Sequence, residues 1–156
     1  LLISAGVATG YASCGALADA FGVRRTVQAG MLLFLVSQTP LLLPIPLPPS
    51  VLAVVFFMFG FTGAFNLLML TEVRILFPPS MVGRAVTAVN LFGFTGATAI
   101  QWGMGIIIGA FTPYDTEGYP VEAYIAAFGA TLGVNIAVFL WYLTPVAVQK
   151  RLKAES

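Results

Sequence analysis

Residues Val51 to Thr71 read VLAVVFFMFGFTGAFNLLMLT. The stretch holds no charged residue, and its apolar side chains follow one another without alternation. A helix that crosses the hydrocarbon core of a bilayer needs roughly 20 such residues. A membrane-spanning strand needs about ten residues that alternate apolar and polar. Val51-Leu-Ala-Val-Val-Phe-Phe57 does not alternate, and neither does Met31-Leu-Leu-Phe-Leu-Val36. The stretch therefore predicts a transmembrane helix and not a strand of a barrel.

Four further runs free of charge surround it: Leu1 to Ala18, Thr26 to about Leu43, Ala85 to Thr112 and Ala123 to Thr144. Five spans are expected, at about 1–18, 26–43, 51–71, 85–111 and 123–144, followed by a tail over 145–156. Unpaired backbone groups are costly in lipid, so the spans should be helical and the breaks should lie at the surface. Pro40, Pro44, Pro46, Pro48 and Pro49 fall between the second and third runs. Pro78 and Pro79 fall between the third and fourth, and Pro113 and Pro120 between the fourth and fifth. Pro145 follows the last. The first run is short and lacks a Met and a basic region, so it reads as a chain that starts inside a transmembrane helix, not as a signal peptide.

Composition agrees. Of 156 residues, 59% are hydrophobic and 8% are charged, where a soluble domain carries about 25% charged residues. This excludes an ordinary soluble enzyme, a disordered segment and a disulfide scaffold. His is absent and Cys14 is the single cysteine. No Ser-His-Asp triad, His-bound zinc or internal disulfide can form. No catalytic residue, metal ligand set, cofactor motif or nucleic-acid partner is expected. The lipid bilayer is the first partner implied. The fold class is all-α integral membrane, a bundle of about five transmembrane helices.

The basic residues set an orientation. Arg24 and Arg25 follow the first run, Arg74 and Arg84 flank the third turn, and Lys150, Arg151 and Lys153 follow the last run. The other two loops carry no Lys or Arg, and one holds Asp115, Glu117 and Glu122. Five spans place all the basic residues on one side, which the positive-inside rule makes cytoplasmic, together with the C-terminus. Tyr114, Tyr119 and Tyr124 at one edge, with Trp141 and Tyr142 at the other, suit an interfacial aromatic belt.

The turn after the first run reads Gly15-Ala-Leu-Ala-Asp19-Ala-Phe-Gly22-Val-Arg24-Arg25. Gly22 permits a tight turn. Gly15 permits close backbone approach. Asp19 can accept from helix N-terminal N–H groups or pair with an arginine. This resembles the cytoplasmic signature loop of the major facilitator superfamily, on Gly15, Leu17, Asp19, Gly22, Arg24 and Arg25. Ala20 stands where that family's better-kept copy has Arg, which points to the second copy of the loop. Glu72-Val-Arg74-Ile-Leu-Phe77-Pro78-Pro79-Ser-Met-Val-Gly83-Arg84 is similar to the family's loop between its tenth and eleventh helices. The resemblance covers nearly the whole chain and implies helices eight to twelve of a two-bundle secondary carrier. Its implied partners are a small-molecule substrate and a missing N-terminal half, and its implied location is a cell membrane, a bacterial inner membrane by likeness. In this reading Gly15, Asp19, Gly22, Arg24, Arg25, Glu72 and Arg84 form a cytoplasmic gating loop. Glu72 pairs with Arg24 or Arg25 when that side is closed; as an exposed pair it would be worth about 0–1 kcal/mol.

Polar residues line stripes inside the runs. At about 100° per residue, Thr87, Asn90, Phe94, Thr98, Gln101 and Gly105 share one arc of the fourth. Phe59, Thr62, Gly63 and Asn66 share a face of the third, and Tyr124, Phe128, Thr131, Asn135 and Tyr142 a face of the fifth. Such stripes bond neighbouring helices or face a watery cavity. The family layout favours Asn66, Asn90 and Gln101 as substrate-facing, with Phe59 and Trp102 as walls, and a structural role for Asn135. Gly6-x-x-x-Gly10, Gly105-x-x-x-Gly109 and Gly129-x-x-x-Gly133 are expected to pack helices closely. No ionisable group sits deep within a run, so a titrating site for proton coupling, if one exists, lies elsewhere. Polar stripes serve assembly equally well, which leaves a non-transporting membrane scaffold or subunit as the alternative. An intramembrane phospholipid-head-group transferase would need several further Asp residues in register with Gly15 and Asp19, and none follows.

Overall fold

The computed structural model describes residues 1–112 and 118–144. Helices account for almost all of them: α1 Leu2–Phe21, α2 Val23–Gln38, α3 Pro49–Gly63, α4 Asn66–Leu76, α5 Pro79–Gly109 and α6 Val121–Leu143, with one 3₁₀ turn over Thr39–Leu42. Three stretches are long and apolar enough to cross a bilayer: Pro49–Leu76 taken through its break, Pro79–Gly109 and Val121–Leu143. By helix length and composition the chain is a multi-pass membrane protein. The first two expected spans fall short of that standard. α1 is diluted with Gly, Ala, Ser and Thr. α2 has 16 residues, below the roughly 20 of a full crossing, and continues into the 3₁₀ turn.

Proline starts three of the helices. Pro49 and Pro79 lie in the first turns of α3 and α5, where the missing N–H has no helical partner to lose. Pro120 precedes α6. The fourth expected span therefore begins earlier than residue 85, at Pro79. The third differs more. Ala64 and Phe65 interrupt it, with a tightened turn in which the Phe65 N–H donates to the Thr62 carbonyl at 3.1 Å and the Leu68 N–H to the Phe65 carbonyl at 3.0 Å. A one-turn tightening of this kind breaks a helix without leaving its backbone unpaired.

Gly22 ends α1 and opens α2 with φ 85°, a left-handed value that glycine adopts at little cost. Its own N–H still donates to the Ala18 carbonyl at 2.8 Å. The chain reverses there, and α1 then lies along α3, the closest helix pair in the bundle. Glycines make that contact. A Cβ on Gly6 would strike the Phe57 carbonyl oxygen and approach the Phe61 nitrogen to 2.8 Å. One on Gly10 would strike the Phe61 carbonyl oxygen and come within 2.7 Å of the Ala64 Cβ. From the other side, one on Gly60 would strike the Ile3 carbonyl oxygen. The other two glycine pairs differ from expectation. Gly105, Gly109 and Gly133 have open space where a Cβ would go, and Gly129 meets one Leu42 methyl at 3.7 Å. Their helices stand at the edge of the bundle, where no neighbour comes near enough to need them.

The core lies close to the Gly22 turn, where Cys14, Val27, Ala64, Phe65 and Leu68 bury one another. α2 is the central element and touches α1, α3, α4 and α6. α5 packs along α6 and α4 and has no buried residue. Cys14 is a small packing residue in that core. Asn135 of α6 donates to the Gln38 side-chain oxygen of α2 at 3.4 Å, the helix-joining role anticipated for it. The stripe threonines act differently. Thr62, Thr87, Thr98 and Thr131 each donate to the carbonyl four residues back in their own helix, so they need neither a neighbouring helix nor water.

The glycine contact gives a contrast between two substitutions. Gly60→Ala forces backbone against backbone and is expected to lower stability by about 1–3 kcal/mol. Gly105→Ala meets open space and is expected to leave stability unchanged or raise it by up to about 1 kcal/mol through helix propensity. Thermal unfolding of the purified protein in detergent micelles separates the two.

Candidate functional site

Two constellations gather the sequence-predicted residues. The first stands at the end of the bundle where α2 begins and α4 and α6 end. Arg24 is the second residue of α2. Its Nη2 donates to the carbonyls of Tyr142 and Thr144, each at 2.9 Å, so the guanidinium caps the C-terminus of α6. Orphan carbonyls at a helix end favour a cation, by hydrogen bonding and by the helix dipole. The same guanidinium lies over the Tyr142 ring, 5.1 Å from its centroid, in cation–π range. Its Nη1 is 3.7 Å from Glu72 Oε1, an ion-pair distance beyond hydrogen-bond reach. The Tyr142 hydroxyl donates to Glu72 Oε2.

Glu72 thus pairs with Arg24, and Arg25 takes no part. The pair is not the exposed one expected from the sequence. The Arg24 and Glu72 side chains are 22% and 14% exposed, because Tyr142 covers them. Geometry explains why three groups are needed. Glu72 sits one turn from the end of α4, where the dipole disfavours an anion, and Arg24 sits at the start of α2, where it disfavours a cation. Each is placed against its own helix and satisfied by another. Tyr142 was assigned from sequence only to the aromatic belt and a polar stripe; its partnership with Glu72 spans 70 residues and leaves no local signal.

The rest of the expected gating loop does not join this cluster. Asp19 is exposed in the last turn of α1 and has no hydrogen bond or ion pair among the described residues. Gly15 is exposed and open, so no backbone approaches there. Arg25, Arg74 and Arg84 lie at the same end of the bundle with exposed or rim positions. Lys150, Arg151, Lys153, Tyr114, Asp115 and Glu117 lie outside the described residues.

The second constellation is a cleft of about 420 Å³ between α1, α4 and α5. Asn66 and Asn90 both line it, with Tyr11 and Phe94. Asn66 is the first residue after the Ala64–Phe65 break. Neither amide has a hydrogen-bond partner among the described residues. Both residues are exposed, so the cleft presents two amides, each able to donate and accept, to whatever fills it. Asn66 also borders a smaller hollow of about 170 Å³ toward α2, beside Thr62 and Met31. Tyr11 was not singled out from the sequence, since it stands alone in an otherwise small-residue helix.

Gln101, expected to face the substrate, and Phe59 and Trp102, expected as walls, do not line the cleft. Gln101 is exposed on α5 beyond Ala97, where the cleft ends. Trp102 is 73% exposed on another face of the same helix. Phe59 precedes the break and packs on Phe34 of α2, with ring centroids 5.3 Å apart. No group of His, Cys, Asp or Glu that would hold a metal occurs among the described residues.

The clamp gives a measurable consequence. Tyr142→Phe keeps the ring under Arg24 and removes the donor to Glu72. It should cost about 1–3 kcal/mol, as for a hydrogen bond to a charged group. Asp19→Asn, at a position without partners, should change stability by less than about 0.5 kcal/mol. Midpoints of thermal unfolding in detergent report both.

Comparison with known proteins gave no match to any family model, any curated protein or any solved structure.

Proposed function

We propose that this chain is the C-terminal part of a secondary carrier of the major facilitator type, and that it helps move a small solute across a cell membrane by alternating access. In this reading it crosses the bilayer five times, with α1 and α2 as full spans. The end that holds Arg24, Arg25, Arg74 and Arg84 is cytoplasmic, as is the C-terminus. The substrate contacts the cleft of Asn66 and Asn90, and a second bundle supplies the opposite wall.

The observation that carries the reading is the convergence of two unpartnered amides from different helices on one cleft within the membrane-crossing segments. One of those amides follows a helix break, and interrupted helices are a recurring way of building a transport site at mid-membrane depth. The Arg24–Glu72–Tyr142 cluster supports it too. It ties three helix ends together through a partly buried ion pair, and making or breaking such a pair shifts a balanced two-state equilibrium.

A second reading is a membrane scaffold or subunit that transports nothing. One observation favours it: α5 has no buried residue and carries its open glycines, Gly105 and Gly109, on an uncovered helix. Small residues on an unfilled face suit helix association.

Uptake and efflux profiling of the intact protein in cells tests the choice. With a transported solute in hand, Asn66→Ala and Asn90→Ala are each expected to lower transport at least about ten-fold, the effect of losing roughly 1.4 kcal/mol of polar recognition, at unchanged abundance in the membrane. Wild-type rates in both variants would remove the cleft from the substrate path. A protein that moves none of a broad solute panel, yet co-purifies with other membrane subunits, would favour the scaffold.

A further inference from the structure

A cleft of about 440 Å³ opens between α1, α2 and the end of α3, on a side of the bundle away from Asn90. Leu17 and Phe21 form one wall, Ala29 and Leu33 the other, and the rings of Phe61 and Phe65 form the floor. Those two rings lie 5.3 Å apart and tilted. Gly30 lets the floor exist, because a Cβ there would strike the Phe65 ring. Thr26 also borders the cleft, but its hydroxyl is spent on the Leu17 and Gly22 carbonyls at 3.1 and 3.0 Å. The interior is therefore apolar.

A single charge stands at this cleft. Arg25 lines it, is exposed, and has no ion pair among the described residues. Arg24, its neighbour, is consumed by Glu72 and by the end of α6. Asp19 is the nearest acid in the sequence, and it projects from the opposite side of α1: Leu17 and Phe21 share one face at a spacing of four, and Asp19 falls about 160–200° away from them. A comparable cleft between α2 and α3, lined by Leu33, Val36, Val54 and Met58, carries no charge. Arg25 also lies within the first turn of α2, at the end of the bundle and beside the Gly22 reversal, the depth at which lipid head groups lie if the helices cross the bilayer.

We propose that this cleft binds an anionic phospholipid, one acyl chain along the apolar trough and the phosphate on Arg25. The guanidinium offers a planar pair of N–H donors that matches a phosphate. The trough offers apolar surface of the kind that takes up a hydrocarbon chain. A basic pocket between helices near a membrane surface is a general device for selecting acidic lipids. The inference needs only lipid as the surrounding solvent and stands apart from any transported solute.

Native mass spectrometry of the full chain, released from detergent after exposure to phosphatidylglycerol or phosphatidylcholine, tests it. The wild-type protein is expected to retain phosphatidylglycerol in preference. Arg25→Gln is expected to lower that retention about five-fold, the effect of one basic residue near an anionic surface. Ala29→Phe, which fills the trough and leaves the charge, is expected to lower retention of both lipids. Arg74→Gln, at the same end but outside the cleft, is expected to bind as the wild type does. Arg25 and Ala29 are both exposed, so neither change threatens the fold. Equal retention in Arg25→Gln and wild type would overturn the proposal. So would an equal loss in Arg74→Gln, which would mean diffuse surface charge, or a dimer in place of lipid adducts, which would mean that a second copy fills the cleft.

Discussion

A backbone without water must bond to itself, and this requirement governs the whole molecule. With so few charges, the chain has lipid for most of its surroundings, and each N–H and C=O needs a partner nearby. Helices satisfy nearly all of them. Among the described residues, prolines stand at helix starts and in the turn between α2 and α3. Even the interruption at Ala64 and Phe65 is repaired by shorter-range bonds in the same turn, and Thr87 and Thr98 of α5 return their hydroxyls to their own helix. The Tyr142 and Thr144 carbonyls at the end of α6 have no such internal partner among the described residues. They are met by a side chain from another helix, and that need is what draws Arg24 across the end of the bundle.

Packing follows a different logic from that of a soluble core. Lipid tails are as apolar as leucine, so burying a leucine against another helix gains little, and close van der Waals contact decides instead. α1 and α3 achieve it through Gly6, Gly10 and Gly60, where backbone meets backbone. α5 makes no such contact, and Leu91, Phe92 and Trp102 remain outward. In water that surface would be untenable; in a bilayer it is an ordinary outer face.

The helical class was legible from the sequence because charge-free runs are local signals, and prolines mark the starts of α3, α5 and α6. The expectation of five uninterrupted spans was not met in form: α2 is short, and the third run is broken. The break had no proline to announce it. It falls at Gly63-Ala64-Phe65, where packing of Ala64 against α1 and burial of Phe65 override helix propensity. Among the site residues, Asn66 and Asn90 share a cleft because each lies on the polar stripe of its own helix and the two helices are neighbours. Gln101 shares the stripe of Asn90 but lies about three turns further along, past the point where α4 ends the cleft. A polar stripe fixes a face of a helix and not a height along it. The Glu72–Arg24 pairing was legible as a choice between two arginines, and the choice was settled by Tyr142, whose position depends on how α6 returns across the bundle.

Asn66 borders two hollows at once, one toward α5 and one toward α2. Its amide is therefore a shared wall. A turn about its side-chain bonds hands the same donor and acceptor from one chamber to the other while the backbone stays in place. The polarity of the hollow toward α2 is thus not its own property: when the amide faces α5, that hollow is left lined by hydrocarbon and by the Thr62 hydroxyl, which is already engaged, while the cleft toward α5 keeps Asn90 and Tyr11 in either case.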